Sequence, residues 1–538
     1  MATTVDRRRG LRLAPAVPSW RRVTTLVSLL LLGWAALLPA GQRPLWWHYA
    51  IGVALILAFL GSWHGQHVST TVRRWAPVSV YNRRQRTRRV QPGRRRAADN
   101  AGDPASTEPR SSSLEARIVI HLRPHPHAMT TPGDTTDQLP WQFVTSWLHR
   151  YGVRADVLTV AAVTRTPPAS GLRTDSAALL TGLAPQHRDT WLTYTLRAES
   201  NVAALTARQT TMGSSEEDSE STGPQRAALA DTVARRLIAE LRERGWLATL
   251  SDDDGHKLPE FVPPSAAVRR EHWTGTEHTD GFRAVYAVDP GRLVEVLQTL
   301  PTVATKATWV VLTVRTPAVQ PASIEASVGM ITSAKPTRNP LPGLEGFHGL
   351  HRKAAPALSV TGFQHDDFDL PTSGVDWDAL TQLSWPTAAA GVPIGFNRHR
   401  EPVYLGLASP EPVRITVTGT GQFHQGIVSR LALSGLPVAV YTADPRPWTT
   451  LVNHGAPEQF AIRPPAPVPG SIVVTDGSID APSGPIAVTL RRPQSAQAPS
   501  TTIVITQDGA RANLFHLTTG HGRQLLSTRL VDQAPPRV

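Results

Sequence analysis

Two long apolar runs stand out near the start of the chain, and both predict helices that cross a membrane. Residues 23–40 and residues 46–63 each form an 18-residue run without Asp, Glu, Lys or Arg. A helix of this length spans about 27 Å, close to the thickness of the bilayer core. The connection between them contains Gly41 and Pro44, which suit a tight turn. We therefore expect a transmembrane hairpin over residues 23–63.

Positive charge flanks this hairpin on one side and gives its orientation. Residues 1–22 are basic, and residues 64–113 form an arginine-rich juxtamembrane segment and linker, whereas the connection holds only Arg43. The positive-inside rule then predicts a multi-pass protein of the inner membrane with both termini in the cytoplasm. A signal peptide ending at Ala40 is the alternative interpretation, but a second apolar run so close behind favours the hairpin.

Beyond residue 113, short apolar runs alternate with amphipathic stretches, as in proteins that layer helices on sheets. The pattern predicts a first α/β unit over residues 114–320 and a second over residues 391–538. The acidic, polar stretch 212–224 indicates a disordered insertion in the first unit. Residues 321–390, rich in Pro, Gly and His, are expected to be a boundary region. The fold class expected for the cytoplasmic region is therefore α/β with a parallel or mixed sheet.

Individual elements follow from the spacing of apolar residues and from glycines at their ends. In the first unit we predict strands at 116–122, 153–163, 190–197, 282–288 and 308–315, and helices at 139–151, 201–209, 225–244 and 290–300. In the second unit we predict a helix at 422–434, a hairpin strand at 402–407, and strands at 413–419, 436–442, 472–475, 485–490, 502–506 and 512–517.

The distribution of charge excludes one class of partner and suggests another. The whole chain carries +13, but residues 1–96 contain 17 arginines and one acid, Asp6, and so carry +16. Residues 97–538 are therefore slightly acidic, at −3, which argues against a folded nucleic-acid-binding domain. The arginine-rich segment suits anionic lipid, or an acidic surface of a partner protein. The absence of cysteine excludes disulfides and thiolate chemistry.

A glycine-rich turn is the strongest motif with chemical potential. A predicted strand leads into Gly419 and Gly421, and Gly426 follows at the spacing of a phosphate-binding loop. Ile427 and Val428, however, stand where the lysine and the hydroxyl residue of such a loop would be needed. We expect a packed strand-to-helix turn; phosphate or nucleotide contact without catalysis is the alternative.

Two acidic clusters offer spaced carboxylates of the kind that hold Mg²⁺ or Mn²⁺ against a sugar nucleotide. They are residues 252–254 and the pair Asp367 and Asp369. The first precedes a glycine, which indicates a turn. His121, His125 and His127 are interrupted by prolines, which prevents a helical metal site there. Asp367 and Asp369 are thus weak metal candidates, and we predict no catalytic residue and no cofactor.

The chain resembles the EccE family of membrane components of mycobacterial type VII (ESX) secretion systems. The resemblance lies in the motif Gly10-Leu11-Arg12-Leu13 of the basic N-terminus, the hairpin with Trp46-Trp47 opening its second span, the arginine-rich tract, and the motif Asp444-Pro-Arg446-Pro-Trp448 after a strand. It implies a peripheral, non-catalytic subunit beside EccB, EccC and EccD, of which EccC is the ATPase. It also implies an α/β fold related to degenerate glycosyltransferases.

Two hypotheses follow from these features. The first is a structural subunit of a type VII secretion membrane complex. The second is a membrane-tethered enzyme that uses a nucleotide sugar at the cytoplasmic face, for which Asp367 and Asp369 would have to bind the metal. The lysine that is missing at Ile427 favours the first hypothesis.

Overall fold

A computed structural model gives the fold of most of the chain after residue 61. It describes scattered positions before that (24, 27, 28, 32, 33, 46, 47, 49 and 50), and then residues 62–63, 66–90, 115–124, 138–165, 187–212, 222–250, 268–279, 281–337, 339–359, 368, 370–388, 391–407, 412–455, 459–466, 468, 470–493, 503–520 and 522–528. The predicted spans 23–40 and 46–63 lie largely outside these residues. None of the described helices is both long enough and apolar enough to cross a bilayer.

The helices and strands are numbered along the chain. The helices are α1 (Val68–Val90), α2 (Trp141–Ser146), α3 (Val202–Met212), α4 (Thr222–Glu243), α5 (Leu293–Thr299), α6 (His351–Ala357), α7 (Trp377–Thr381), α8 (Gly421–Leu431) and α9 (Arg446–His454). The strands are β1 (Ser62–Trp63), β2 (Gln66–His67), β3 (Glu115–Pro124), β4 (His149–Arg150), β5 (Val153–Arg154), β6 (Val157–Arg165), β7 (His187–Arg197), β8 (Trp246–Leu250), β9 (Arg270–His272), β10 (Gly275–Glu277), β11 (Phe282–Val288), β12 (Ala307–Arg315), β13 (Ser323–Thr332), β14 (Leu344–Gly346), β15 (Ser373–Gly374), β16 (Val392–Phe396), β17 (Pro402–Leu405), β18 (Val413–Thr418), β19 (Val438–Tyr441), β20 (Phe460–Ile462), β21 (Ile472–Thr475), β22 (Ile486–Arg491), β23 (Ile503–Gln507), β24 (Leu514–Thr519) and β25 (Gly522–Ser527).

The chain divides into two compact units. The N-terminal unit comprises residues 1–106, 265–279 and 347–353, and the main unit comprises residues 107–264, 280–346 and 354–538. In the N-terminal unit, β1 pairs with β2, and β9 pairs with β10, in both cases antiparallel. Helix α1 contains Pro77 and runs through the arginine-rich tract, which the sequence had left without structure.

The first sheet of the main unit is antiparallel throughout. Its strands lie in the order β8-β3-β7-β6-β12-β13-β11, with β14 on β11 and β15 on β13. Every pair in this order is antiparallel. The expected α/β class is confirmed, but a parallel or mixed arrangement is wrong for this sheet. Helices α3 and α4 connect β7 to β8, which lies two positions away on the far side of β3 and runs parallel to β7.

A strand from the expected boundary region lies inside the first sheet. Strand β13 pairs with both β12 and β11, so residues 321–390 supply part of the sheet. Gly329 interrupts the apolar pattern of this strand. It pairs with Trp309 of β12, whose indole is large. A Cβ atom on Gly329 would lie 1.8 Å from Cε2 of Trp309, so only glycine leaves room for that fully buried side chain.

The predicted helix 139–151 is too long. Helix α2 ends at Ser146, and the chain then forms a hairpin of β4 and β5. Its two turn residues, Tyr151 and Gly152, have φ values of 54° and 71°. Positive φ at both central residues is typical of a type I′ turn, so Gly152 shapes a hairpin rather than ending a helix. The apolar spacing of Trp141, Val144 and Trp147 is already satisfied by the shorter helix.

The second sheet of the main unit is mixed. Its order is β17-β16-β25-β24-β23-β18-β22-β21-β19-β20. The strands from β23 to β20 are parallel, and those from β17 to β23 are antiparallel. The predicted strand–helix–strand of residues 413–442 is confirmed as β18, α8 and β19. Because parallel strands end at the same edge, the loops after β18, β19, β21 and β22 all leave one edge of this sheet.

Some predicted features lie wholly or mainly outside the described residues. These are residues 91–113 of the linker, residues 213–221 of the acidic insertion, the first acidic cluster at 252–254, and both Asp367 and Asp369. Helix α4 begins at Thr222, three residues before its predicted start, so the C-terminal end of the expected insertion is helical.

Candidate functional site

The glycine-rich turn lies at the carboxyl edge of the parallel strands. Strand β18 ends at Thr418, Gly419 is buried, and Thr420 is the N-cap of α8. Parallel strands with a helix N-terminus at this edge form the usual setting for ligand sites in open α/β sheets. The turn is therefore the natural place to look for a functional site.

The three glycines occupy different surroundings. A Cβ atom on Gly419 would lie 2.6 Å from Cδ1 of Phe423 and 2.8 Å from Oε1 of Gln507, so this glycine serves close packing. Gly421 and Gly426 are exposed, and a Cβ atom on either would meet nothing within 4 Å. Gly421 is the first residue of α8, and Gly426 lies about 7.5 Å further along the helix axis, so the glycines do not form one loop.

Hydrogen bonds within the chain already occupy much of this turn. The Thr420 side chain accepts a hydrogen bond from the amide of Phe423, at 3.3 Å. The Thr420 amide donates to Oε1 of Gln507, at 2.9 Å, and the Gly419 amide donates to the carbonyl of Arg491, at 3.0 Å. Residues of β22 and β23 thus take the positions next to the turn, which favours a packed turn.

The positions that would carry phosphate chemistry are in the core. Ile427 and Val428 are 1% and 0% exposed, and their side chains belong to the apolar cluster of the second sheet. His424, one turn from the N-terminus of α8, is bound through Nε2 to the Arg491 carbonyl at 3.0 Å. Burial lowers the pKa of His424, although hydrogen bonds to backbone carbonyls act in the opposite direction. A neutral imidazole facing a carbonyl offers a phosphate no charge.

A second cluster of polar side chains lies at the same edge of the sheet and was not predicted from the sequence. Arg463, which has a φ of 47°, donates from Nε to the Thr442 carbonyl at 2.6 Å and from Nη2 to the Ala443 carbonyl. The Thr442 hydroxyl donates to Asp476 at 2.6 Å. Burial opposes ionisation of Asp476, but hydrogen bonds from Ser478 and Thr442 outweigh it and lower its pKa. The cluster ties the loops after β19, β20 and β21 together.

The motif at residues 444–448 begins helix α9 beside this cluster. The exposed carboxylate of Asp444 accepts hydrogen bonds from Nε and Nη2 of Arg446, at 2.9 Å and 3.0 Å. These bonds lower the pKa of Asp444 and raise that of Arg446. Trp448 is 6% exposed and packs in the core. The motif is thus accounted for by the start of a helix and its anchoring.

The histidine and acidic candidates do not assemble into a metal site where the structure describes them. His121 lies within 3.2 Å of Asp189 and stacks on Trp191, whereas His125 and His127 are outside the described residues. Among the described residues, no group of three or more His, Cys, Asp or Glu could hold a metal ion. Asp367 and Asp369 lie outside the described residues, so a metal site at these two residues remains a prediction.

A cluster of arginines and aromatic rings at the β4–β5 hairpin is the other surface of interest. We call it the arginine–aromatic cluster; it consists of Phe143, Trp147, Arg150, Tyr151, Arg236, Glu240 and Arg244. The guanidinium of Arg150 lies 4.8 Å from the Trp147 ring and 5.0 Å from the Tyr151 ring. Tyr151 is 58% exposed.

Glu240 fixes the exposed end of this cluster. It forms a salt bridge with Arg150 at 2.8 Å and accepts a hydrogen bond from the Tyr151 hydroxyl at 3.0 Å. Arg236 and Arg244 are exposed and stack on the rings of Tyr151 and Phe143. Tyrosine, tryptophan and arginine held in fixed positions are the side chains that most often dominate protein interfaces.

Comparison with known proteins places the chain in a family. It is 28% identical to the ESX-3 secretion system protein EccE3 of Mycobacterium tuberculosis (strain H37Rv) over 396 residues, which cover 72% of this chain and 97% of that protein. It is 25% identical to the protein of the same name from Mycolicibacterium smegmatis over 324 residues, 58% of this chain and 79% of that protein. The chain is a member of the EccE family. No family model matches it.

Membership of the EccE family confirms the resemblance inferred from the hairpin pattern, the arginine tract and the motif at residues 444–448. The match covers 97% of the M. tuberculosis relative and 72% of this chain, so it is not limited to one short segment.

Proposed function

We propose that the chain is a non-catalytic structural subunit of the inner-membrane complex of a type VII secretion system. The observation that carries the proposal is the match to the ESX-3 secretion system protein EccE3 over 97% of that protein's length. The packed glycine turn supports the non-catalytic part, because its amides bind Gln507 and Arg491 and its helix presents no lysine. No cofactor is part of the proposal.

The membrane anchor of this subunit is the hairpin of residues 23–40 and 46–63, with both termini in the cytoplasm. Described helical positions in the two runs support it, because Leu32 and Trp46 are 67% and 79% exposed. Exposed apolar side chains on helices are what lipid covers. A reporter fused after residue 110 should be active only as a cytoplasmic fusion; activity as an exported fusion would overturn this topology.

The partners in the proposal are EccB-, EccC- and EccD-type subunits, together with anionic lipid at the arginine-rich segment. The arginine–aromatic cluster is the contact surface that we assign to a neighbouring subunit. Its rigid rings and outward guanidinium groups support this assignment, since they can bind carboxylates with little loss of conformational freedom. The α/β region is taken to descend from glycosyltransferases without retaining their activity.

The test is purification of the full chain from its native membranes through an affinity tag, followed by mass spectrometry. We expect EccB-, EccC- and EccD-type subunits in stoichiometric amounts. Their absence from a purification that recovers intact chain would overturn the proposal.

The contact surface is tested separately with a photocrosslinking aromatic residue in place of Tyr151. We expect crosslinks to another subunit of the complex that are lost on Arg236→Glu. The matched control carries the same residue in place of Val319, which is 96% exposed, and should give none. Equal crosslinking at the two positions would contradict the assignment of the cluster.

The transferase hypothesis makes a distinct prediction. Titration calorimetry of the full chain with UDP-sugars and Mn²⁺ should give heat that disappears in the variants Asp367→Ala and Asp369→Ala. Under the structural-subunit proposal we expect no heat with any UDP-sugar.

A further inference from the structure

The arginine-rich helix α1 has one face that is docked in the N-terminal unit. Val78 on this face is 6% exposed, and the hydroxyl of Tyr81 donates to the carbonyl of Val268 at 3.4 Å. These residues come together although 187 positions separate Tyr81 from Val268. The tract is therefore a packed element of a folded unit, and its rotation about the helix axis is determined.

Asn82 fixes that rotation most tightly. Its Nδ2 donates to the carbonyl of Glu271 at 2.7 Å, and its Oδ1 accepts from the amide of Glu271 at 2.9 Å. This pair of bonds imitates the one that a neighbouring strand would make with β9. The helix thus occupies the hydrogen-bonding edge of β9 at this residue through a single amide side chain.

The carboxylate of Glu271 extends the same contact. Its side chain is only 5% exposed and forms a salt bridge with Arg352 at 3.2 Å. The guanidinium of Arg352 in turn lies 4.6 Å from the ring of Tyr81. Three segments that are far apart in sequence, α1, β9 and the start of α6, therefore hold one another through Tyr81, Asn82, Glu271 and Arg352.

The opposite face of α1 combines apolar and basic side chains. At about 100° per residue, Arg73, Val80 and Arg84 fall within an arc of about 40°. All three are exposed, Val80 by 49%. Helix α1 contains no acidic residue. An exposed valine between two arginines is the pattern of a helix that lies in a membrane interface.

We infer that this outer face, defined by Arg73, Val80 and Arg84, lies in the headgroup layer of an anionic membrane. Charge complementarity identifies the occupant, because residues 1–96 carry +16 and helix α1 itself contains no acid. The inference deepens the proposed function and rests on its membrane anchor. Its new content is the face: the docked side of α1 fixes which residues meet the lipid.

The experiment uses the absence of cysteine from the chain, which makes any introduced cysteine a unique labelling site. The full chain with Val80→Cys, labelled with an environment-sensitive fluorophore, is reconstituted in nanodiscs of phosphatidylcholine alone or mixed equally with phosphatidylglycerol. A lipid with a quencher near its headgroup reports contact. We expect at least threefold stronger quenching in the anionic discs than in the neutral ones.

Two variants make the result specific. Arg73→Glu combined with Arg84→Glu should reduce the quenching in anionic discs to the level of neutral discs, because the charge attraction is reversed. The label on Val319→Cys, a position 96% exposed in the main unit, should not respond to either change. Equal quenching at Val80 in the two lipids, or quenching that survives the double charge reversal, would overturn the inference.

The outcome is distinguishable from failure of the proposed function. Recovery of the chain in neutral discs tests the hairpin anchor alone, and co-purification of the other subunits tests membership of the complex. A crosslinker attached at residue 80 of the purified complex distinguishes a protein partner from lipid. A crosslink to another protein, without quenching by lipid, would show an acidic partner protein on this face and would also overturn the inference.

The docked side supplies a positioning test. Asn82→Ala removes both hydrogen bonds to Glu271 but leaves the outer face unchanged. We expect the fluorescence anisotropy of the Val80 label to fall while the chain stays in the discs, because the helix loses its fixed rotation. Unchanged anisotropy would show that Asn82 does not set the orientation of α1.

Discussion

The two sheets of the main unit bury their strands to a similar degree but arrange them differently. In the first sheet, eight consecutive residues of β12 are buried, so both faces are covered, and all neighbours are antiparallel. In the second sheet, the central strand β18 is nearly as buried, and its neighbours β22 and β23 are parallel. Burial on both faces is therefore compatible with either direction of pairing in this chain.

Each sheet also contains a place where glycine makes room for an aromatic ring. In the first sheet the ring is the fully buried indole of Trp309 against Gly329, deep in the core. In the second it is Phe423 against Gly419, at the edge where α8 begins. The first glycine–aromatic contact lies in the core and the second at the edge of a sheet. Substitution of the first should therefore lower the free energy of unfolding more than substitution of the second.

The largest effect is expected at the pair in the first sheet. Trp309→Ala should lower the free energy of unfolding by about 4 kcal/mol, because it empties a large buried volume. Gly329→Ala should lower it by about 2 kcal/mol, because its Cβ atom would lie 1.8 Å from the indole. Urea unfolding of the full chain in mild detergent, followed by pulse proteolysis, measures both.

The double variant tests the mechanism. With the indole gone, the added methyl group at residue 329 has space, so the two losses should not add, and the combined loss should stay close to that of Trp309→Ala. Simple additivity would mean that Gly329 is required for its backbone and not for the space it leaves.

The next largest effect is expected at a feature that the two sheets share, a half-buried arginine that holds an irregular segment. Arg188 in the first sheet donates to the carbonyl of Pro386 at 2.5 Å, and Arg430 of helix α8, which packs with the second sheet, donates to the carbonyl of Thr528 at 2.5 Å. Burial lowers the pKa of each to about 10, which leaves both charged at neutral pH. Arg188→Met and Arg430→Met should each cost about 2 kcal/mol.

Peptide-resolved hydrogen exchange separates the two sheets in this test. Arg188→Met should increase exchange in β6 and β7, and Arg430→Met in β16 and β25, with the other sheet unchanged. Arg492→Met, at an exposed arginine directly after β22, is the control and should change neither, because the structure gives it no hydrogen bond to a carbonyl among the described contacts. Increased hydrogen exchange in both sheets after a single substitution would show that the two sheets are not stabilised independently.

Sequence patterns predicted the strands better than the way they pair. The strands at residues 282–288 and 472–475 are confirmed to the residue as β11 and β21. Their direction was not predictable, because strands buried on both faces lack the alternation that would mark an exposed face. Strand β13 was missed since Gly329, Ser327 and Glu325 weaken its apolar pattern, although the first two face buried partners across the sheet.

Local sequence patterns also predicted only part of the candidate site. The turn, its glycines and the missing lysine could be read from adjacent residues. The groups that occupy the turn, Gln507 and the Arg491 carbonyl, come from strands 87 and 72 positions away, as counted from Thr420 and Gly419, and no local pattern links them. Arg463 was invisible for the same reason, because its partners at residues 442–443 belong to another loop.

A smaller effect is expected at the glycine turn of the second sheet. Gly419→Ala should lower the free energy of unfolding by about 1 kcal/mol, because its Cβ atom would crowd Phe423 and Gln507. Gly426→Ala should raise it by about 0.5 kcal/mol, since that position is exposed, helical and open. Thermal unfolding with and without added phosphate or ATP measures both, and a ligand-dependent shift that Gly426→Ala abolishes would favour a phosphate site.

The smallest effect concerns pH and belongs to the second sheet. Burial lowers the pKa of His424 below its usual value, so the folded chain binds fewer protons than the unfolded chain around pH 6. The stability contributed by neutral His424 is therefore complete above the pKa of an unfolded histidine and is lost progressively as the pH falls from that value through the lower pKa of the folded chain. Protonation is also opposed by the positive end of α8, in whose first turns the ring lies.

His424→Gln should flatten this dependence, because an amide can still donate to the Arg491 carbonyl but does not titrate. Hydrogen exchange of β18 and β22 between pH 7 and pH 5, corrected for the intrinsic rate, should rise more in the unchanged chain than in the variant. Strands of the first sheet serve as the internal reference. If acid loosened both sheets equally and the variant made no difference, the titrating group would lie elsewhere, and the contrast between the two sheets would not extend to pH.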